Sequence, residues 1–63
     1  MNTKRHIEMA RQHLAGGNQE TYVNLMTAGI RSAMSARTVN AYKKAMKEDG
    51  AFTLDVLNRI WEL

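Results

Sequence analysis

The stretch MSARTVNAYKKAMKEDG, residues 34–50, decides the fold of this chain, because it contains a complete helix together with both of its boundaries. Ser35 is a preferred N-cap residue, whose side-chain oxygen accepts a hydrogen bond from an N–H group of the first turn. Apolar residues then recur at spacings of three and four and share one helical face: Val39, Tyr42 and Met46. Gly50 ends the segment, since glycine adopts the left-handed conformation that terminates helices. The pattern predicts a helix over residues 36–48 with one buried side.

Three further helices are predicted around this one, because the apolar spacing is helical throughout and no run alternates as a strand would. Thr3 is the expected cap of the first, Asn18 of the second and Thr53 of the fourth. Glycines at 16 and 17 end the first helix. The sequence therefore predicts an all-α fold in one domain, residues 1–63, as a compact bundle of four short helices: about 4–15, 19–33, 36–48 and 54–62.

The predicted core takes one apolar side from each helix. Its expected members in the first two helices are Ile7, Ala10, Leu14, Tyr22, Leu25, Met26, Ile30 and Ala33. Met26, Met34 and Met46 are also assigned to the core, because methionine fills irregular gaps between helices. Gly29 interrupts the second helix at a cost of about 1 kcal/mol relative to alanine. Close approach by a neighbouring helix at Gly29 is the expected compensation.

Length and composition exclude several classes of protein. A chain of 63 residues with no cysteine has neither disulfides nor thiolate metal sites. Small domains often rely on such links or on a partner chain, so dimerisation is the expected support. No apolar run approaches the roughly 18 residues of a membrane span. The basic N-terminus is not followed by a continuous apolar segment, so it does not resemble a signal peptide. We therefore expect a cytoplasmic protein without a membrane partner.

The sequence contains no catalytic constellation. His6 and His13 are seven residues apart, which on a helix is about 10.5 Å of rise, too far for one metal ion. Glu48 and Asp49 are adjacent and are expected to point in different directions, so they make a poor acid–base pair. No glycine-rich loop precedes a phosphate-binding lysine. The prediction is a non-enzymatic protein with no metal and no cofactor.

Positive charge is concentrated in one segment. The net charge is +3, but residues 31–47 carry five basic side chains and no acidic one, whereas residues 48–63 carry four acidic side chains and one arginine. Clustered positive charge favours a polyanionic partner. The alternative is a solvated helix face, which is the commoner meaning of a modest charge run.

The second and third predicted helices have the layout of a helix-turn-helix, with residues 33–35 as the turn. Such a motif reads DNA through the outer face of its second helix. Arginine pairs with guanine, asparagine with adenine, and a threonine methyl group contacts thymine. The candidate DNA-binding residues are Arg31, Ser35, Arg37, Thr38, Asn40, Lys43, Lys44 and Lys47, and the expected partner is double-stranded DNA.

Residues 25–50 resemble the helix-turn-helix segment of bacterial and phage regulators, which often continues as Ser-x-Arg-Thr-Val, spaced hydrophobic residues, a basic residue and a glycine. The matching residues are Ser35, Arg37, Thr38, Val39, Tyr42, Met46 and Gly50. Ala33 stands where the usual turn glycine would be, and Gly29 at or beside the usual alanine of the first helix. The resemblance implies DNA contact through the helix 36–48.

The same segment also resembles, more weakly, the N-terminal, DNA-clamping domain of tyrosine recombinases. There a Ser-x-x-Thr-x-x-x-Tyr-x-x-x-hydrophobic pattern opens a helix, matched here by Ser35, Thr38, Tyr42 and Met46. The catalytic domain of that family does not fit in this chain. This resemblance also implies DNA contact, through the same helix.

Two hypotheses of function follow. The first is a small sequence-specific DNA-binding protein, a dimeric transcriptional regulator of phage or plasmid type, with a dimer interface on the apolar fourth helix: Leu54, Leu57, Ile60 and Trp61. The alternative is a helical protein-interaction module or inhibitor that binds a partner protein through that same fourth helix. A bundle with no partner other than itself is a third, weaker possibility.

Overall fold

Four helices form the part of the chain that the structure, a computed structural model, describes: residues 2–61, with only the backbone at position 61. They are α1 (Thr3–Ala15), α2 (Gln19–Ser32), α3 (Ala36–Glu48) and α4 (Leu54–Trp61). The predicted all-α fold is confirmed, although the expected helix end at residue 62 lies outside the described residues. Helix α2 is central, because α1, α3 and α4 all contact it, and α1 also contacts α3.

Side-chain caps define where the helices begin. The first cap is Asn2 and not the predicted Thr3: the Asn2 Oδ1 accepts a hydrogen bond from the Arg5 N–H at 3.4 Å. Asn2 has an extended backbone, so Thr3 is already the first residue of α1. The predicted caps Asn18, Ser35 and Thr53 are confirmed, because each accepts an N–H of the following first turn.

The connection from α2 to α3 is three residues long. Helix α2 ends at Ser32, one residue before the predicted end, because Ala33 has the extended angles φ −67° and ψ 135°. The assignment of Met34 to the core is wrong, since its side chain is 98% exposed. Met34 lies in the connection beyond the end of α2, where its side chain fills no gap between helices. Met26 is fully buried, as expected.

The core lies where α1, α2 and α3 meet and is closed by the last segment of the chain. Its buried apolar members are Ala10, Tyr22, Met26, Ile30, Tyr42, Ala45, Met46, Ala51, Val56 and Ile60. Ile7, Leu14, Leu25 and Val39 pack against it half-buried, and Ala33 is half-buried at the end of α2. The expected close approach at Gly29 is confirmed, because the Tyr42 ring lies directly against the Gly29 backbone.

Helix α4 packs on α2 and turns two of its apolar side chains, Val56 and Ile60, into the core. The Arg59 Nη1 donates a hydrogen bond to the Asn24 Oδ1 at 3.1 Å, which adds a polar link between these helices. Leu54, at the start of α4, is 78% exposed. None of the helices among residues 2–61 has the length and apolar character that crossing a membrane requires.

Candidate nucleic-acid interface

Tyr42 sets the rotation of α3 about its own axis. Its ring is buried between two other helices. The His6 ring of α1 meets it edge-on, with centroids 5.4 Å apart and an interplanar angle of 82°. The backbone of Gly29 in α2 also lies against the ring. Because interiors are close-packed, a large side chain held by two helices restricts the rotation of α3 and so determines which of its residues face outward.

The carboxyl end of α3 is held by a polar cluster around Asp49. Its Oδ2 accepts hydrogen bonds from the Arg11 Nε at 2.8 Å and from the Tyr22 hydroxyl at 2.6 Å. The Arg11 Nη2 also forms an ion pair with the Glu48 Oε1 at 3.2 Å and donates to the Ala45 carbonyl at 3.4 Å. One guanidinium therefore bridges the two adjacent carboxylates, and the cluster ties α1, α2 and the end of α3 together.

The contacts in this cluster shift the pKa values of Asp49, Tyr22 and Arg11. Burial by itself would raise the pKa of Asp49, but the hydrogen bonds from Arg11 and Tyr22, with the positive charge of Arg11, outweigh burial and lower it. Burial and the hydrogen bond to Asp49 together raise the pKa of Tyr22. The hydrogen bond to Asp49 likewise raises the pKa of Arg11. At neutral pH the Asp49 carboxylate is therefore ionised, the Arg11 guanidinium is charged and the Tyr22 hydroxyl is neutral.

Four of the predicted DNA-binding residues share the outward side of α3: Arg37, Asn40, Lys44 and Lys47. We call these residues the outer face. At about 100° per residue they fall within an arc of about 80°, opposite the buried Tyr42, and they extend over about 15 Å of helix. All four side chains are exposed. An α-helix carrying groups of this kind matches the width of the DNA major groove, about 12 Å.

The basic side chains of the outer face form no ion pair among the described residues, although Glu8 and Glu48 line the same groove as Lys44. Both ion pairs among residues 2–61 belong to Arg11, which engages Glu48 and Asp49. Arg11 of α1 therefore sets one positive charge against the two carboxylates that directly follow the basic segment and offsets part of their charge. Lys47 alone on this face has a further contact, because its Nζ lies 5.5 Å from the centroid of the Phe52 ring.

The remaining candidate residues have other surroundings. The Ser35 Oγ accepts the Thr38 N–H at 3.3 Å and shares a hydrogen bond with the Thr38 hydroxyl at 3.1 Å, so both side chains serve the helix cap. Lys43 is half-buried beside the core-facing side of α3. Arg31 is exposed in the last turn of α2, next to the three-residue connection.

The residues proposed for the dimer interface differ in how exposed they are. Ile60 is only 7% exposed within the chain's own core, so its side chain is not on the surface. Leu57 is half-buried and Leu54 is exposed. The side chain of Trp61 lies outside the described residues. The apolar surface that α4 offers in this part of the chain therefore centres on Leu54.

Sequence reasoning missed two features of this surface. It assigned no role to Arg11, whose partners are 34–38 residues away along the chain. It also left out Lys4, which lines the same groove between α1 and α3 as Lys44. Only the isolated acids at positions 48 and 49, at the end of an otherwise basic helix, signalled that a distant cation pairs there.

No protein-family model matches this sequence, and comparison with curated proteins and with solved structures finds no match either.

Proposed function

We propose that this protein binds double-stranded DNA through α3, with α2 and α3 acting as a helix-turn-helix, and that its role is regulatory and non-catalytic. The observation that carries the proposal is the outer face of α3, where exposed basic side chains surround one asparagine and have no carboxylate partner among the described residues. Such a face attracts phosphates and also offers groups that read base edges.

The way α3 is mounted supports the same proposal. Readout of bases requires a helix held in one orientation, because a rotation of one residue changes which groups enter the groove. The Tyr42 ring between His6 and Gly29, and the Arg11 cluster at the far end, hold α3 at two points. Arg37 and Asn40, nearest the start of α3, are the proposed base-reading residues, while Lys44 and Lys47 contact phosphates.

Dimerisation is a further part of the proposal. One module of this size contacts few base pairs, and a dimer doubles the contacts while defining a half-site spacing. Leu54, exposed on a helix that packs on α2, is the side chain on which we place the contact between subunits. A regulator of this type acts in the cytoplasm, where bacterial DNA is located.

The same exposed leucine favours the alternative, a module that binds another protein through α4. The two proposals differ in what happens to α3. A protein-interaction module tolerates neutral substitutions at Arg37 and Lys44, whereas a DNA-binding protein does not.

Selection of bound fragments from a pool of random duplex DNA tests the proposed function and yields the target sequence at once. We expect enrichment of a short motif, repeated with two-fold symmetry when the protein is a dimer. A pool that remains random after several rounds, with no retention of duplex at low salt, would contradict the proposal.

A further inference from the structure

The direction of α1 relative to α3 follows from two contacts. His6, early in α1, meets Tyr42 near the middle of α3. Arg11, one and a half turns later in α1, meets Asp49 just after the end of α3. Because both members of the second pair lie further along the chain, the two helices run in the same sense.

Helix α2 runs in the opposite sense. Tyr22, in its first turn, bonds to Asp49 beyond the end of α3, whereas Gly29, near its end, lies against Tyr42. The first residues of α1, the last residues of α2 and the first residues of α3 therefore meet at one end of the bundle. The three-residue connection between α2 and α3 requires the same arrangement.

This topology separates charge between the two ends of the molecule. The end just described carries four exposed basic side chains, which we call the basic end: Lys4, Arg5, Arg31 and Arg37. The acids lie mostly toward the opposite end, at Glu20, Glu48, Asp49 and Asp55. Glu8, one helical turn after Lys4, is the remaining acidic residue in the described part of the chain.

The basic end continues into the outer face of α3. Lys4 and Lys44 lie on opposite walls of one groove between α1 and α3, which Glu8 and Glu48 also line farther from the basic end. The positive surface therefore spans two helices, and at the end of the bundle it gains Arg31 from a third. A side-on contact through α3 alone would leave Lys4 and Arg31 unused.

We propose that the duplex is engaged by the basic end, so that the first half of α3 lies in the groove while Lys4 of α1 and Arg31 of α2 bind phosphates on its two sides. This inference rests on the proposed function and adds α1 to the DNA-contacting surface. A separation of charge orients a molecule in the field of a polyanion, with its acidic end turned away. Charge removal should then matter most at the basic end and along the outer face of α3, and least on α4.

Single-charge variants test this arrangement, because each phosphate contact contributes about 0.9 to the slope of log affinity against log salt. We expect Lys4→Gln and Arg31→Gln each to weaken binding to a random-sequence duplex and to reduce that slope by about 1. Arg59→Gln is the matched control, since it removes one positive charge from α4, which packs beside the start of α2. It should leave the slope unchanged. Circular dichroism on each variant verifies the fold.

The outcomes distinguish failure of this arrangement from failure of the proposed function. Suppose that the wild type binds duplex with a steep salt dependence, and that Lys4→Gln and Arg31→Gln behave like Arg59→Gln. Engagement of the duplex by the basic end is then overturned, and the proposed function stands. If the wild type does not bind duplex at low salt, both fail. Binding to phosphatidylserine-containing vesicles without binding to duplex, lost in the same two variants, would assign the basic end to a membrane surface and overturn the arrangement.

Discussion

The Tyr42 ring of α3 lies so close to the Gly29 backbone of α2 that a Cβ atom at position 29 would be 2.8 Å from the Tyr42 hydroxyl oxygen. Carbon atoms in folded proteins do not approach an oxygen of another side chain so closely without displacing it. The glycine in the middle of α2 therefore has a structural purpose: it admits the ring that orients α3.

Gly29→Ala should destabilise the protein, although alanine is the better helix former by about 1 kcal/mol. Overpacking a buried contact costs about 1–3 kcal/mol, which exceeds that gain. Urea denaturation measures the change.

Gly16→Ala is the matched control, because a Cβ there would meet only ordinary contacts, the nearest at 3.5 Å. Combining Gly29→Ala with Tyr42→Leu should show a smaller cost for the alanine than in the wild type. An alanine variant more stable than the wild type would contradict the packing described.

Much of this fold follows from local sequence. Four helices, three of their four caps and the close approach at Gly29 were predictable, because capping residues and apolar spacing act within a few residues. The exposure of Met34 was not predictable, because an apolar residue type suited to filling gaps does not show that the connection after Ser32 leaves its side chain in solvent. The N-cap of α1 was predicted one residue late, because both Asn2 and Thr3 are residue types that are able to cap a helix.

The site was less predictable than the fold. Periodicity relative to the predicted core side left Arg37, Asn40 and Lys44 pointing outward, and all three are exposed, whereas Thr38, predicted to point outward too, is half-buried. The Arg11 cluster was missed, because its partners are brought together only by the packing of three helices. Ile60 was assigned to an interface between subunits, yet it lies in the chain's own core, since α4 has more apolar residues than one face needs and sequence does not say which neighbour covers them.

The Arg11 cluster should make stability depend on pH in the acidic range. The folded state lowers the pKa of Asp49, so its contribution is present above the unfolded value of about 3.9 and is lost as the pH falls through the folded value. Asp49→Asn should therefore lower the free energy of unfolding at neutral pH by about 1–3 kcal/mol. The difference from the wild type should shrink below a pH of about 4. Thermal melts across pH measure this, and a difference that stays constant into acid would contradict it.

Tyr22→Phe tests the contribution of the uncharged hydrogen-bond donor in the same cluster. The substitution keeps the buried ring and removes only the hydroxyl that donates to Asp49. We expect a loss of about 0.5–1.5 kcal/mol, together with a higher Asp49 pKa, because one hydrogen bond to the carboxylate disappears. Denaturation and NMR titration of the Asp49 carboxyl carbon measure the two effects. An unchanged titration would show that this hydrogen bond does not stabilise the carboxylate.

Arg37 and Asn40 should determine sequence preference, whereas Lys44 should determine affinity alone. Arg37→Ala and Asn40→Ala are expected to relax the selected motif, each by about 1–3 kcal/mol of discrimination at one position. Lys44→Ala should weaken binding to all sequences alike, because phosphates carry no sequence information. Selection from random duplex with each variant measures the preference. Identical motifs from all three variants would contradict the assignment of roles.

Leu54→Asp should shift a dimer toward monomer without unfolding it, because the side chain is 78% exposed and contributes little to the chain's own core. Light scattering with circular dichroism measures both properties. Met34→Asp is the matched control, since Met34 is exposed as well and lies at the other end of the bundle. A dimer that survives Leu54→Asp unchanged would place the interface elsewhere.

The affinity of the wild type for duplex DNA as a function of salt is the measurement on which the proposed function depends. If the proposed phosphate contacts Lys4, Arg31, Lys44 and Lys47 each neutralise one phosphate, the slope of log affinity against log salt should be roughly −3 to −4 per subunit. Replacing Lys44 and Lys47 by alanine should then flatten it by about 2. Absence of binding at low salt, or a slope that this double variant leaves unchanged, would show that the basic side of α3 is a solvated helix face and not a surface for DNA.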